Sequence, residues 1–486
     1  MKGTLAVLLV ALLVIGIRVF DPPTNPLDEF LPLVCAQRVL AGEVPYRDYT
    51  TLYPPLTTLL DAALLGVFPR SVLLARFVFV GLAAIGLVLV KAIATRLSGS
   101  ERAGTLAGLL AALCHGAPHW GYALVPATVL LLGALLALLR GTRRATVAAG
   151  VLLGLASLTR HDAAFWAALP LGLLALSRSR RELLLLLGVA AIFPIGFLVF
   201  LAATGALPQA WEQLVVIPAT LYPRIRGLPF PLPWRAPADA ELYPSLASIY
   251  GPFLVSGLAL ARSRGERARQ AAALLPFALG VTALVRPDHA HVYGASLASF
   301  AALGVLRGAS RKELALVLAL LLPGALIQVL ESARLARHVF IKTPVFATRS
   351  PRTYLLDQGG IDEHRARALD AVAAIPSGAR IFVALPRHDR IWINDVAFYF
   401  DAGVLPATRH HELYALVATT PEVQEEIVRD LEHWKPPLVV VSSVRQAREP
   451  NASHETFDAH VLDDYLARSY ELGLVDGRYK VLRRAR

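Results

Sequence analysis

Residues 140–181 read RGTRRATVAAGVLLGLASLTRHDAAFWAALPLGLLALSRSRR, two apolar segments that lie between two clusters of arginine. The segments, 145–159 and 163–177, would each form a helix about 23 Å long at a rise of about 1.5 Å per residue. This is shorter than the ~30 Å hydrocarbon core of a bilayer. Because both flanking clusters are basic, the pattern predicts a helical hairpin that enters a membrane and returns to the same side, with Thr159-Arg160-His161-Asp162 at its tip.

The alternation of apolar runs and short basic loops extends over most of the chain. Hydrophobic residues make up 55% of the sequence and charged residues 17%, against roughly 25% charged residues in globular proteins. A cleaved signal peptide is not expected, because Arg18-Val-Phe-Asp-Pro-Pro lacks a small-residue cleavage pattern. The predicted fold class is a polytopic α-helical membrane protein of about 11 transmembrane helices. Besides the hairpin, the predicted spans are 4–20, 71–95, 103–118, 121–139, 183–204, 245–261, 270–285, 290–306 and 313–332.

The net charge of +12 is concentrated in the hydrophobic part. Residues 1–339 hold 29 basic and 16 acidic side chains, whereas residues 340–486 hold 19 and 20. Loop charge that orients a membrane protein explains this distribution better than nucleic-acid binding does. The positive-inside rule and an odd number of crossings place the N-terminus in the cytoplasm and the tail outside, in a multi-pass protein of the inner (plasma) membrane.

The tail, residues 341–486, differs in composition from residues 1–340 and is predicted to be a soluble extracytoplasmic α/β domain. Its helices are predicted at 362–375, 422–434 and 458–470, and its strands at 380–385, 438–442 and 479–483. The tail contains neither a glycine-rich phosphate loop nor a nucleophile elbow.

The chain contains two cysteines, Cys35 and Cys114, which are too few for a disulfide framework.

The first predicted outer loop, residues 21–70, contains the most informative acids. It reads Asn25-Pro-Leu-Asp28-Glu29-Phe30, then Ala-Gly-Glu-Val-Pro-Tyr46-Arg-Asp-Tyr, then Leu-Tyr53-Pro-Pro. Phe30 to Leu40 forms an amphipathic segment that we expect to lie along the membrane interface. Asp28 and Glu29 then face either substrates at the head-group level or, in the alternative interpretation, the positive end of a helix dipole.

These motifs resemble the first outer loop of the GT-C membrane glycosyltransferases. That superfamily includes protein mannosyltransferases, lipid A aminoarabinose transferases and bacterial lipopolysaccharide glycosyltransferases. Gly150-Val-Leu-Leu-Gly-Leu-Ala-Ser-Leu-Thr-Arg160 is similar to an internal helix of the same family. The resemblance implies a polyprenyl-phosphate sugar donor, transfer on the outer face with inversion, and Asp28 as the catalytic carboxylate. Phe30 replaces a polar or tyrosyl residue of the relatives and leaves the division of roles between Asp28 and Glu29 open.

Two predicted hairpin tips each carry an Arg-x-Asp sequence, Arg160 to Asp162 and Arg286 to Asp288. An arginine at bilayer depth is costly unless it is paired, and guanidinium matches phosphate geometry. The arginines therefore bind either the donor phosphate or the neighbouring aspartate. Arg76 is a weaker third candidate, with snorkelling as its alternative role.

Further candidates for substrate binding are three side chains near the predicted outer face, His289, Tyr46 and Tyr53. The tyrosines would line a sugar subsite or anchor the loop at the interface. A divalent metal is a candidate cofactor because His115, His119, His161, His289 and His291 are all predicted near that face. Ordinary hydrogen bonding by these histidines is the alternative.

The predicted function is a glycosyltransferase that acts on a cell-envelope lipid, polysaccharide or protein acceptor. A transporter or flippase of lipid-linked saccharides is the alternative. Transporters typically contain repeated halves and polar residues at the midplane, whereas the acids here cluster on one predicted face. A catalytically silent scaffold is a third reading that the sequence leaves open.

Overall fold

The structure is a computed structural model that describes residues 2–20, 26–68, 71–114, 120–229, 242–263, 265–341, 363–390, 394–413, 417–442, 450–452 and 455–485. The chain divides into two compact units. Unit 1 comprises Met1–Val19, Arg76–Phe200 and Pro229–His338, and unit 2 comprises Phe20–Ala75, Leu201–Leu228 and Val339–Arg486. The tail thus shares a unit with the predicted first outer loop.

Helices dominate the described residues. In chain order the α-helices are α1 (Lys2–Val14), α2 (Pro26–Leu40), α3 (Leu56–Val67), α4 (Val72–Ser98), α5 (Glu101–Cys114), α6 (Leu124–Leu138), α7 (Arg143–Ser157), α8 (His161–Leu176), α9 (Arg180–Ala203), α10 (Leu207–Trp211), α11 (Ile217–Arg226), α12 (Leu242–Arg262), α13 (Arg267–Gly280), α14 (His289–Ala302), α15 (Arg311–Ile341), α16 (Glu363–Val372), α17 (Ala397–Ala402), α18 (Pro421–Trp434) and α19 (Val461–Ser469). The strands are β1 (Arg380–Ala384), β2 (Leu405–Pro406), β3 (Leu438–Ser442), β4 (Tyr470–Asp476) and β5 (Tyr479–Arg484).

The apolar helices confirm the membrane class. Within the described ranges, four segments are long and apolar enough to cross a bilayer: Lys2–Val19, Val72–Ser98, Arg180–Ala203 and Arg311–Arg337. Shorter apolar helices include Leu124–Leu138 and His161–Leu176. The predicted hairpin is present as α7 and α8, with each helix beginning two residues earlier than the sequence indicated. The count of eleven spans stays a prediction.

Two glycines bring α7 against α9 within unit 1. A Cβ on Gly150 would lie 2.8 Å from Val189 Cβ, and a Cβ on Gly154 would lie 2.7 Å from the Ala190 carbonyl oxygen. Small residues spaced four apart let helix backbones approach closely where lipid supplies no hydrophobic driving force. The Gly-x-x-x-Gly sequence therefore fixes how the hairpin packs, and with it the position of its tip.

Unit 2 contains a five-stranded sheet of order β2-β1-β3-β5-β4. β2, β1 and β3 are parallel, whereas β5 runs antiparallel to both β3 and β4. Successive side chains of a strand face opposite sides of a sheet. Accordingly, Ile381 and Val383 of β1 join the core that contains α16 and α17, and Phe382 and Ala384 join the core that contains α18 and α19.

Helix α2 packs in the first of these cores. Phe30, Leu33 and Val34 are each at most 4% exposed and belong to the same cluster as the inward side chains of β1, β3 and β5. Phe30 also stacks edge-on against Phe400 of α17, with ring centroids 5.8 Å apart. The apolar face of Phe30 to Leu40 is thus covered by protein rather than by lipid, and the placement of this segment along the membrane interface stays a prediction. An amphipathic pattern indicates that one face of a helix lies against apolar groups. It does not indicate whether those groups belong to lipid or to protein.

Candidate functional site

Asp28 and Glu29 lie in the first turn of α2. Asp28 is half-buried, whereas Glu29 is only 5% exposed. Both acids complement the positive end of the helix dipole, as the alternative interpretation expected. The two carboxylates thus differ in exposure. Of the two, Asp28 is the more accessible to a substrate.

Buried polar contacts hold α2 in register with the segment that follows β2. Cys35 Sγ lies 3.6 Å from His411 Nε2, and Arg38 donates hydrogen bonds of 2.8 Å to the carbonyl oxygens of Thr408 and Asp48. Burial raises the pKa of the Cys35 thiol, and burial together with Arg38 lowers the pKa of His411 well below its usual value. The cysteine and histidine are therefore a neutral pair at pH 7, and their role is to position the helix.

Glu412 is a candidate that the sequence did not reveal. Its pKa is raised to about 8, first by burial and then by the negative charge of Asp28, while Arg226 acts in the opposite direction. Two carboxyl groups close enough to influence each other are a common arrangement in acid–base catalysis. Within unit 2, Asp28 and Arg226 therefore lie close enough to Glu412 for their charges to act on it.

Arg226 ends α11, and that helix is fixed to the tail. Ile225 is fully buried beside Ala452 and Phe457, and Asn451 donates a 2.9 Å hydrogen bond to the Gly227 carbonyl oxygen. Arg224 adds an exposed ion pair with Glu455, which contributes little by itself. The position of the Arg226 guanidinium thus depends on residues more than 200 positions later in the chain.

The tyrosines of the first outer loop differ sharply in accessibility. Tyr46 is fully buried, and its hydroxyl donates a 2.8 Å hydrogen bond to the Tyr53 carbonyl oxygen. Its backbone adopts φ +68°, which is uncommon for a non-glycine residue, and its own carbonyl accepts from Gln213 and Arg409. The expected sugar contact by Tyr46 does not fit this burial, so its role is to fix the loop. Tyr53 is half-buried and stays a predicted subsite residue.

In unit 1 the first hairpin tip forms the ion pair that the alternative interpretation expected. Arg160 is 9% exposed, and its Nε and Nη2 each donate a 2.8 Å hydrogen bond to the Asp162 carboxylate. Its Nη1 donates a 3.0 Å hydrogen bond to the Tyr122 hydroxyl. The guanidinium is thus held rigidly, with its plane oriented by an acid and a phenol.

The second tip lies beside the first. Arg286 Nε donates a 2.8 Å hydrogen bond to Asp288, and the same carboxylate caps α14 and lies 2.6 Å from His291 Nδ1. The His291 and Tyr122 rings contact edge to face with centroids 5.4 Å apart. Tyr122 therefore links both Arg-x-Asp tips into one cluster. Phosphate binding by these arginines stays a prediction.

Other sequence candidates are placed less favourably or are not described. Arg76 is buried, donates a 2.7 Å hydrogen bond to the Val19 carbonyl oxygen and lies over the Trp120 ring, so it does not snorkel. His115, His119 and the side chain of His289 lie outside the described residues. Among the residues that are described, no group of three or more His, Cys, Asp or Glu side chains is arranged to hold a metal ion.

Comparison with protein-family models gave no match, and neither did comparison with the sequences of curated proteins. The structure is similar to the crystal structure of ArnT from Cupriavidus metallidurans bound to undecaprenyl phosphate. That likeness covers 99% of this chain and 97% of the other, with 14% identity and a TM-score of 0.62. A likeness to the AglB oligosaccharyltransferase of Archaeoglobus fulgidus covers 90% and 69% of the two chains at 13% identity, with a TM-score of 0.48. The ArnT likeness shows that this chain shares the fold of ArnT over nearly its whole length.

Proposed function

We propose that this protein is a membrane glycosyltransferase. It transfers a sugar from a polyprenyl-phosphate donor to a lipid, polysaccharide or protein acceptor on the outer face of the membrane. The observation that carries this proposal is the likeness over nearly the whole chain to ArnT, whose crystal structure holds undecaprenyl phosphate. The half-buried acid at the start of α2 supports it further, because glycosyl transfer to a hydroxyl requires a base.

The proposed step is a single displacement at the anomeric carbon, with inversion. The acceptor hydroxyl oxygen forms a bond to that carbon while the bond to the phosphate oxygen breaks. The electron pair of the broken bond goes to the polyprenyl phosphate, and the hydroxyl proton goes to the Asp28 carboxylate. Glu29 is nearly buried, and we assign it the role of orienting the first turn of α2.

Arg160 and Arg286 stabilise the charge that the departing phosphate gains. Each is held by its own aspartate, Asp162 or Asp288, and both tips share contacts through Tyr122 and His291. A guanidinium fixed in advance stabilises developing charge without reorganising during the reaction. The aspartates therefore position the arginines as well as lowering the cost of burying them.

The proposed topology follows from loop charge. About eleven helices cross the inner membrane, the N-terminus is cytoplasmic, and the tail, whose sheet and helices form an α/β domain, lies outside. In this arrangement Asp28, Tyr53 and Glu412 all belong to the outer side. A one-sided distribution of acids suits transfer chemistry better than transport.

The test is transfer by membranes that contain the protein. Membranes are supplied with radiolabelled polyprenyl-phosphate sugars, and products are separated into lipid, polysaccharide and protein fractions, with and without a chelator followed by added divalent metal. We expect labelled product that depends on the protein. Movement of labelled donor across vesicles without any product would instead support a flippase, and the metal additions decide whether a divalent cofactor takes part.

A further inference from the structure

Helix α3 buries polar side chains and exposes apolar ones. Thr57, Thr58 and Asp61 on its inner side are each at most 8% exposed. Its outer side carries four apolar side chains with exposed fractions of 47–76%, namely Leu59, Leu60, Val67 and the C-cap residue Phe68. A helix on the surface of a soluble domain has the opposite arrangement. The outer side of α3 therefore suits an apolar environment rather than water.

Helix α18 of the same unit shows the ordinary arrangement. Ile427 and Leu431 are fully buried, whereas Glu425, Arg429 and Glu432 are exposed. Because α3 and α18 both belong to unit 2, one compact unit exposes charge on one helix and hydrocarbon on another. Contact between hydrocarbon and water is unfavourable. The outer sides of the two helices therefore have different surroundings.

A second exposed apolar face comes directly after α9, where α10 continues into a π-helical turn at Glu212–Val216. Ala210 and Gln213, on its inner side, are at most 2% exposed. The outer side carries four apolar side chains with exposed fractions of 37–62%, namely Leu207, Trp211, Val215 and Val216. An exposed Glu212 is the single charged residue in the sequence 207–216. We call these four apolar side chains and the four of α3 the apolar surface.

One buried side chain joins the two segments. Gln213 accepts a 2.8 Å hydrogen bond from the Thr51 amide and donates a 3.0 Å hydrogen bond to the Tyr46 carbonyl oxygen. Arg47 donates a 3.0 Å hydrogen bond to the carbonyl oxygen of Thr204, the residue that follows α9. All five residues belong to unit 2. The stretch that leads into α3 is thus fixed to the stretch that follows α9.

The neighbouring helices indicate what covers the apolar surface. Both α4 and α9 are long and apolar enough to cross a bilayer. Residues 68–71 separate α3 from α4, and residues 204–206 separate α9 from α10. Linkers of this length reach at most about 15 Å, so both apolar faces begin close to the end of a membrane span. With 12 residues, α3 is about 18 Å long and too short to cross the ~30 Å hydrocarbon core itself.

We propose that the apolar surface docks unit 2 on the lipid bilayer, with α3 and α10 lying along the membrane rather than crossing it. Tryptophan, here Trp211, is typical of the boundary between head groups and acyl chains, because its ring is apolar and its N–H is polar. A helix docked in this way buries its apolar face about 5–10 Å into that boundary.

Docking also fixes the height of the loop that contains Tyr53. Residues 46–53 are attached through Gln213 to the segment after α9 and lead directly into α3. Lipid contacts on both sides therefore hold this loop at head-group level. The consequence for Tyr53 rests on the proposed function, because head-group level is where the phosphate of a polyprenyl-phosphate donor lies.

The first experiment measures whether Trp211 contacts lipid. The protein is reconstituted in nanodiscs of phosphatidylcholine and phosphatidylglycerol, with or without phosphatidylcholine brominated near the head-group end of its acyl chains. The fluorescence of Trp211 is the difference between the wild type and Trp211→Phe, and Trp434→Phe isolates an exposed tryptophan of α18 as the control. We expect brominated lipid to lower the Trp211 fluorescence about twofold and to leave Trp434 unchanged. Quenching of Trp211 by aqueous iodide but not by brominated lipid would overturn the proposal.

The second experiment distinguishes lipid from a second copy of the chain. Val67→Cys is labelled with a small fluorophore in a Cys114→Ala background, since the native Cys35 is buried, and Glu471→Cys of β4 is the exposed control. In nanodiscs that hold one copy each, nitroxide-labelled lipid should quench the label at position 67, and an aqueous quencher should quench the label at position 471. If the aqueous quencher reaches position 67 instead, lipid does not cover this face and the proposal is wrong.

The transfer assay tests the height of Tyr53 separately. Trp211→Asp places a charge in the apolar surface, so it should raise KM for the polyprenyl-phosphate sugar several-fold without changing kcat. Trp211→Ala, a milder change, should raise KM less, and Glu471→Gln should match the wild type. An unchanged KM in both Trp211 variants would contradict the placement of Tyr53. If quenching is as expected but the wild type transfers no sugar, the proposed function fails and the docking surface stands.

Discussion

At the scale of single residues, exposure separates two adjacent acids that the sequence could not rank. Asp28 is half-buried and Glu29 nearly inaccessible, although both lie in one helical turn. This difference in exposure supports the proposed division of roles, which the unusual Phe30 left open. Phe30 itself is 4% exposed and packs against Phe400, which explains why a polar residue is not found there.

The assignment of Asp28 as the base predicts a large effect of a small substitution. Asp28→Asn keeps the side-chain shape but cannot accept the acceptor's proton, so turnover should fall by about 10²–10⁴-fold while donor KM changes little. The measurement is the initial rate of sugar transfer at saturating donor. Glu29→Gln should have a smaller effect. If Asp28 only caps α2, asparagine would replace it with activity retained, since asparagine caps helices as well as aspartate.

The tip arginines predict a defect in donor use rather than in folding. Arg160→Ala or Arg286→Ala should raise donor KM, because loss of one charge-assisted hydrogen bond costs about 1.5–3 kcal/mol. Arg143→Ala, at an exposed position at the start of α7, is the matched control. Titration with polyprenyl phosphate measures the effect directly. Normal binding by both variants, or failure of both to accumulate in membranes, would show that the arginines serve only their ion pairs.

At the scale of elements, the close approach of α7 to α9 predicts that a glycine-to-alanine substitution affects stability differently at Gly154 and at Gly188. An alanine at Gly154 would overlap Phe193 and the Ala190 carbonyl, whereas a Cβ at Gly188 of α9 meets nothing within 4 Å. Gly154→Ala should therefore destabilise unit 1 by about 1–3 kcal/mol, and Gly188→Ala should leave it unchanged or slightly more stable. Thermal unfolding in detergent compares them. A Gly154→Ala protein as stable as wild type would mean that the helices do not pack this closely.

Local sequence patterns predicted structure well where the residues that contact each other are also close in the chain. The α7–α8 hairpin and the pairing of Arg160 with Asp162 both involve neighbours in the chain. Glu412 could not be found in this way. It lies in no recognisable motif, and its significance comes from Asp28, which is nearly 400 positions away.

Tertiary contacts also explain why the apolar face of α2 is covered by protein and why Tyr46 does not suit the predicted sugar contact. The apolar face of α2 packs against a sheet formed by the tail, and the backbone carbonyl oxygen of Tyr46 accepts hydrogen bonds from Gln213 and Arg409. Composition correctly marked Phe30 to Leu40 as amphipathic. It could not distinguish a lipid surface from a protein core, because both remove the same apolar face from water.

At the scale of the whole molecule, loop charge predicts the orientation. Alkaline phosphatase fused after the tail should be active in a bacterial host, because the tail is expected outside and the enzyme folds only there. Phosphatase activity of intact cells is the measurement, and fusions after Arg140 or Arg181 should be inactive. An inactive tail fusion together with an active cytoplasmic reporter at the same position would reverse the orientation and move the proposed chemistry to the other face.

The packing of α2 on the tail sheet has a consequence for biosynthesis. The contact between Cys35 and His411 joins residues 376 positions apart. At about 5–20 residues per second, a ribosome completes the second partner roughly 20–75 seconds after the first. Throughout that interval the apolar face of α2 has left the ribosome but has no sheet to cover it. A tail that fails to fold would leave the same face exposed permanently, so proteases and chaperones that recognise α2 would remove chains with a defect hundreds of residues away.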